Sequence, residues 1–218
     1  MFTGIVQAIG TLAASEPRGG DLRLTIRSGG LDLSDLALGD SVATNGVCLT
    51  LVALFGDGFS ADLSRETLGL TTLQRLAPGS RLNLEKALTL ESRLGGHLVS
   101  GHVDGIGRVL ERRDDARSVR FTIEAPRLLA RYIAHKGSIC VDGVSLTVNA
   151  VEGARFELNI VPHSLSHTIM ADYRPGSAVN LEVDLIARYL ERLLLGERAA
   201  ESGPATPLQE LLKERGFL

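Results

Sequence analysis

The sequence contains no tryptophan and little aromatic material of any kind, 4% of 218 residues. That leaves little from which to build a stacking platform for single-stranded nucleic acid. Neither charge sign is in excess: 23 Lys and Arg against 26 Asp and Glu give a net charge of −3. Nothing electrostatic therefore draws the chain to nucleic acid or to an anionic membrane. Cysteine is scarce, with Cys48 and Cys140 only, too few for a disulfide framework at this length. Two reduced thiols in a cytoplasmic protein are expected. Long apolar runs are missing, since no stretch approaches ~18 uninterrupted apolar residues. The start, Met1-Phe2-Thr3-Gly4, lacks the basic residues and apolar run of a signal peptide. No membrane span is expected. Walker and Rossmann glycine loops and the Gly-x-Ser-x-Gly elbow are also absent, and nothing argues for a nucleotide cofactor. Core material is ample, with 44% hydrophobic residues, enough for one large domain or two small ones.

What the chain does have is a duplication. Met1-Phe-Thr-Gly-Ile-Val-Gln-Ala-Ile-Gly-Thr-Leu12 aligns with Leu98-Val-Ser-Gly-His-Val-Asp-Gly-Ile-Gly-Arg-Val109, 97 positions on. Ser41-Val-Ala-Thr-Asn-Gly-Val-Cys-Leu-Thr50 aligns with Ser138-Ile-Cys-Val-Asp-Gly-Val-Ser-Leu-Thr147 at the same offset. Pro78-Gly79-Ser80 and Pro175-Gly176-Ser177 follow it, as do Asn83-Leu84-Glu85 and Asn180-Leu181-Glu182. The period is too long for a solenoid. It implies two similar domains, 1–96 and 97–184, with a junction near Gly95-Gly96.

Within one unit, 41–44, 47–53, 59–63 and 81–84 read as strands: short, β-branched and bounded by turn residues. Asn45-Gly46 and Asp142-Gly143 are type I′ hairpin signals, because both central positions need positive φ. The stretch 64–76 is less strand-like and suggests a helical turn around Thr71-Thr72-Leu73-Gln74. About six short strands in roughly ninety residues predict a small closed barrel. The expected fold class is mainly β: two tandem six-stranded antiparallel Greek-key barrels plus a C-terminal α-helix. That helix is predicted over 185–196 from the apolar stripe Leu185, Ile186, Tyr189, Leu190, Leu193 and Leu194. It could pack on its own barrel or against copies of itself; Leu193-Leu194-Leu195 covers more than one face, which favours assembly. A polar linker and a short amphipathic helix beginning at Thr206-Pro207 are predicted over 197–218.

Strand alternation puts Cys48 and Thr50 on one face with Leu49 and Leu51 on the other, and Ser145 and Thr147 opposite Leu146 and Val148. A polar pair could simply face water, but its recurrence in both units favours a binding site in each. A lone cysteine such as Cys48 is more often a small buried hydrophobe than a nucleophile; Cys140 aligns with Ala43 and reads as core. All five histidines, His97, His102, His135, His163 and His167, fall in the second unit. His102 stands where the first unit has Ile5, Asp184 where it has Ala87, and Lys136 where it has Gly39. The second unit thus holds the richer set of polar groups. No metal-ligand spacing completes His97 and His102, and no metal is expected.

Met1-Phe-Thr-Gly-Ile-Val6, Asn45-Gly-Val-Cys-Leu-Thr50, Gly95-Gly-His-Leu-Val-Ser-Gly-His-Val103 and Asp142-Gly-Val-Ser-Leu-Thr-Val148 together resemble the riboflavin synthases of the α-chain type. The resemblance covers 1 to about 195. It implies a dismutation in which a four-carbon unit passes between two molecules of 6,7-dimethyl-8-ribityllumazine, giving riboflavin and 5-amino-6-ribitylaminouracil. It implies no cofactor, one lumazine per barrel, and homotrimers joined through 185–196, with each reacting pair between subunits. Lumazine synthase is the implied partner enzyme. By the same resemblance, Cys48, His102, Ser145, Thr147 and Asp184 carry the chemistry. His102 with Thr147 would relay the proton, supported by Ser145 and Asp184. Cys48 would be either a transient nucleophile or a polar neighbour of the attacking water.

One ligand is expected against Gly4, Ile5 and Val6, against Cys48, Leu49 and Thr50, and against Asp62, Leu63, Ser64, Arg65, Glu66 and Thr67. The other is expected against Gly101, His102, Val103 and Lys136, against Ser145, Leu146 and Thr147, and against Asn159, Ile160, Val161, Pro162, His163 and Ser164. Two rivals remain. A non-catalytic lumazine- or flavin-binding protein would depart from the pattern near Cys48, His102 and Thr147. A flavin-dependent reductase would need a nicotinamide domain.

Overall fold

Period-two burial builds the strands of the computed structural model, which describes residues 1–200. In β2 (Asp21–Arg27), Leu24 and Ile26 are fully buried while Asp21 and Arg27 are exposed. With β1 (Ala8–Arg18), β3 (Ser41–Thr44), β4 (Val47–Phe55), β5 (Gly58–Leu63) and β6 (Arg81–Lys86) it closes a barrel in the order β1-β2-β5-β4-β3-β6. The second barrel has the same cyclic order. It comprises β7 (Gly105–Asp115), β8 (Ser118–Glu124), β9 (Ser138–Val141), β10 (Val144–Glu152), β11 (Arg155–Ile160) and β12 (Ala178–Val183). Closure leaves no free sheet edge. Bulges recur at the repeat offset, at Leu12/Ala14 and Val109/Glu111 and at Leu51/Ala53 and Val148/Ala150. Phe59 fills the first barrel, and Phe121 and Phe156 fill the second.

The predicted hairpin turns have the required backbone: φ is 47° at Asn45, 76° at Gly46, 44° at Asp142 and 81° at Gly143. The helical turn expected around 71–74 is instead two pieces. Helix α1 (Arg65–Leu70) precedes a 3₁₀ turn, Thr72–Arg75, and extended Thr71 breaks them apart. The Thr71 hydroxyl donates back to the Thr67 carbonyl at 2.8 Å. Helix α2 (Pro162–His167) and the 3₁₀ turn Ile169–Asp172 repeat the arrangement.

The barrels meet face to face. Before β1 and before β7 the chain runs as a short extended leader, and the two leaders pair: the Phe2 amide donates to the Val99 carbonyl at 2.7 Å and the Val99 amide to Phe2 at 3.1 Å. Phe2, Ala43, Val99 and Cys140 form a dry seam there. Cys140 is therefore buried, as expected of a core residue, but in the seam between barrels and not inside one.

Helix α3 (Leu185–Leu195) starts at Asp184, whose side chain accepts from the Ile186 amide, and ends at Gly196 with φ 57°. Glu191 ties it to the second barrel through Arg131 at 2.9 Å and through the Tyr132 hydroxyl. None of its residues is buried; Tyr189 is 62% and Leu193 73% exposed. Gly196–Ala200 form a 3₁₀ turn where a linker was expected. The remainder of that linker and the helix expected at Thr206-Pro207 lie outside the described residues. Among the described residues, no helix is long and apolar enough to cross a membrane.

Candidate active site

Each leader is held by a buried carboxylate. Glu85 of β6 accepts from the Thr3 amide and hydroxyl, both at 2.7 Å, and from the Gly4 amide at 3.0 Å. Glu182 of β12 accepts from the Ser100 amide at 2.6 Å, its hydroxyl at 2.8 Å and the Gly101 amide at 2.9 Å. Burial raises the pKa of both acids, and these donors oppose the shift. Charge-assisted bonds of this kind fix backbone firmly. Neither glutamate was expected at the site, although the repeat already aligned them.

So anchored, each leader crosses to the opposite barrel. The Gly4 carbonyl accepts from the Ser145 amide at 2.7 Å, and the Gly101 carbonyl accepts from the Cys48 amide at 2.8 Å. Val6 packs against the second core and Val103 against the first. Within one chain the leaders are therefore exchanged relative to the expected grouping. Gly4, Ile5 and Val6 belong with Ser145, while Gly101, His102 and Val103 belong with Cys48. His102 accordingly lies with Cys48 and not with Thr147. The offset could not reveal the exchange, because it aligns each leader with the other and says nothing of which barrel it touches.

The exchange creates a cavity of about 430 Å³ beside Cys48, lined by Glu66, Thr67, Leu70 and Thr71, by Gly101, His102 and Val103, and by Asp104 and Arg188. Arg188, from α3, pairs with Asp104. Of the expected 62–67 segment, only Glu66 and Thr67 line this cavity. Asp62 is engaged by Arg23 at 2.6 and 2.7 Å, which lowers its pKa. Leu63 lies in the barrel core. Ser64 caps α1, and Arg65 donates to the Gly20 carbonyl at 3.2 Å. Leu49 is core, and Thr50 is exposed.

The Ser145 side is built alike but capped differently. The linker 95–97 folds over it, and His97 Nδ1 lies 2.7 Å from Ser145 Oγ. Burial lowers the His97 pKa, partly opposed by the Asp184 carboxylate. Thr147 is exposed, two residues along the strand from Ser145. Leu146 packs on the core and Ile160 is within it. Asn159 keeps a buried Oδ1 with no partner among the described residues. Val161 and Pro162 start α2, whose exposed His163 stacks on His167 with ring centroids 4.1 Å apart; Ser164 accepts from the Thr168 hydroxyl at 2.6 Å. Lys136 is exposed and takes φ 63°, where the first unit has Gly39 at 93°. Asp184 caps α3 and reaches the site only through its charge at His97. Among the described residues, no three His, Cys, Asp or Glu side chains converge as a metal site would require.

Comparison with known proteins matches this geometry to a described domain. A family model, "Lumazine binding domain", fits twice, over 3–87 and 100–184. The riboflavin synthase of Photobacterium phosphoreum is 46% identical over 218 residues, covering 100% of each chain. That of Mycobacterium bovis is 46% identical, covering 89% of this chain and 98% of its own. That of Bacillus subtilis is 38% identical, covering 100% of each. Among solved structures, LumP complexed with riboflavin superposes with a TM-score of 0.77 at 27% identity, covering 84% of this chain and 99% of LumP.

Proposed function

The chain belongs to the lumazine-binding domain family, and from that membership we propose that it is a riboflavin synthase. The reaction joins two 6,7-dimethyl-8-ribityllumazine molecules by four-carbon transfer, giving riboflavin and 5-amino-6-ribitylaminouracil. The observation that carries the reading is the pair of like sites, at Cys48 and at Ser145, each completed by the leader of the other repeat. Two identical substrates call for two such sites. Unlike roles for them call for the differences between thiol and hydroxyl and between His102 and His97.

The substrate's C7 methyl is a carbon acid, because the electron-poor ring delocalises the anion. One bound lumazine loses that proton and the other accepts a nucleophile at a ring carbon. Holding the two rings face to face supplies ~7–11 kcal/mol of the barrier, and proton transfer adds ~10²–10⁴-fold. In this reading Ser145 and His97 hold the heterocycle in the second barrel. Cys48 and His102 stand beside the other, Cys48 as transient nucleophile or as neighbour of the attacking water. The packed seam of Phe2, Ala43, Val99 and Cys140 fills the space between the barrels of one chain. That favours a reacting pair drawn from two subunits, assembled as a trimer through α3 and its exposed Tyr189 and Leu193. The free cysteines suit a cytoplasmic location. Lumazine synthase, which makes the substrate, is the upstream partner.

Identities of 38–46% to riboflavin synthases across most or all of the chain weigh against a non-catalytic binder; LumP, solved with riboflavin bound, is 27% identical. Incubating the pure protein with the lumazine and following riboflavin absorbance tests the activity; a bound but unconverted lumazine would return the binder reading.

A further inference from the structure

One buried ring of the second-barrel site, that of His97, is set for a more specific task than contact with the heterocycle. His97 lies at the junction between the repeats, and the position 97 residues later is Leu194. Its amide donates to the Thr3 carbonyl at 3.2 Å, and its Nδ1 meets Ser145 Oγ at 2.7 Å. Its Nε2 is buried with no partner among the described residues. Native cores rarely bury an unpaired polar atom, so Nε2 is left for a partner that the packing of the ring does not itself supply. The approach is also built in advance. A Cβ on Gly96 would stand 2.1 Å from the Thr3 oxygen and 2.7 Å from Ser145 Cβ, so only glycine lets the linker bring the ring this close.

Burial favours the neutral ring, which has one donor nitrogen and one acceptor. As acceptor, Nδ1 accepts the hydrogen bond of the Ser145 hydroxyl and leaves the oxygen lone pairs for a ligand; as donor, it leaves the hydroxyl proton free to be donated. Either tautomer removes the rotational freedom of the hydroxyl. The Cys48 site has no such clamp. His102 is held by its backbone, through Ser100 Oγ at 3.2 Å, and its ring makes no hydrogen bond among the described residues.

We infer that His97 is a positioning residue: through Nδ1 it fixes the Ser145 hydroxyl so that the second-barrel site holds its heterocycle in one orientation. The inference rests on the synthase reading for its catalytic consequence, though not for its effect on binding.

The test is a cycle of His97→Leu, Ser145→Ala and their double variant, with His97→Asn as the conservative partner whose amide can still meet Oγ. With the lumazine as substrate, His97→Leu should lower kcat on the order of 10²-fold, with a smaller rise in KM. His97→Asn should recover part of that loss, and His97→Leu should do nothing further in the Ser145→Ala background. The native kcat should fall on the acid side as the ring gains a proton, and His97→Asn should lose that limb. Independent effects that multiply in the double variant, or an unchanged kcat and pH profile, overturn the inference. Riboflavin titration, read by flavin fluorescence, separates it from the synthase reading. A native chain without turnover sinks the latter alone. The clamp then stands if one of the two riboflavin sites weakens equally in His97→Leu, Ser145→Ala and the double variant, and falls if both sites keep native affinity.

Discussion

Asn83 and Asn180, 97 positions apart, make the same three bonds, two of which cross the seam in opposite directions. The Asn83 amide donates to Asn45 Oδ1 at 2.7 Å, its Nδ2 to the Asp142 carbonyl at 2.8 Å, and its Oδ1 accepts from the Ile169 amide at 2.8 Å. For Asn180 the partners are Asp142 Oδ1 at 2.7 Å, the Asn45 carbonyl at 2.8 Å and the Thr72 amide at 2.7 Å. Each asparagine thus pins its own barrel's hairpin turn with its backbone and the other barrel's turn with its side chain. Replacing either with Leu orphans a buried carbonyl and a buried amide, at ~1–3 kcal/mol each. Urea unfolding should show a loss of ~2 kcal/mol or more; a loss within ~0.5 kcal/mol would mean that these bonds do not hold the barrels together.

Asp142 occupies the place of Asn45, and burial pushes its carboxyl up to about 7 despite bonds from the Tyr173 hydroxyl and the Asn180 amide. The native chain therefore keeps a proton that the unfolded chain releases near the ordinary value of 3.8. The stability this confers is whole below that value and is lost as pH rises through about 7, at up to ~1.4 kcal/mol per pH unit. Asp142→Asn removes the titrating group. Its melting temperature relative to the native chain should climb from pH 5 to pH 8, whereas parallel melting curves across that range would place the carboxylate in a better-solvated setting.

Gly4 and Gly101, at φ 74° and 82°, permit the leader exchange. A Cβ on Gly4 would fall 2.6 Å from Ser145 Cβ, and one on Gly101 2.7 Å from Cys48 Cβ. Gly4→Ala should weaken ligand binding in the second barrel only, and Gly101→Ala in the first only. Calorimetric titration with riboflavin should show one weakened site per chain in each variant. Loss of both sites in both variants would mean that the leaders act on the whole fold.

His102 lines the Cys48 cavity. His102→Gln should slow turnover more than it weakens lumazine binding, by ~10²-fold or more if its ring moves a proton. Equal turnover by stopped-flow absorbance would remove it from the chemistry.

Leu190 and Leu193 leave much of their surface in water, at 55% and 73% exposed. A double change to Glu should yield monomers by sedimentation that still bind ligand but turn over slowly. Monomers with native turnover would place the reacting pair within one chain.

Much of the fold was legible because its signals are local. Asn45-Gly46 and Asp142-Gly143 favour positive φ between two strands, as both turns show, and alternation at Cys48-Leu49-Thr50-Leu51 identifies the core face. The tandem arrangement followed from one offset. The site was legible in its membership more than in its arrangement. Residues 4–6 and 101–103 do reach the strands that carry Ser145 and Cys48, but a repeat aligned against itself is silent about which copy touches which. Asp62, Ser64 and Arg65 are spent on an ion pair, a helix cap and a loop contact that depend on partners 3–45 positions away. The roles of Glu85 and His97 are not legible in the sequence because they lie in long-range bonds to Thr3 and Ser145.

The exchanged leaders also bear on ancestry. A forebear with one barrel per chain, carrying the same leader, could finish its pocket only by lending that leader to a twin and borrowing the twin's in return. Such a molecule would already have lived as a couple before its gene doubled. Fusion would then have added only a tether between halves that today carry a thiol and a hydroxyl at the same address.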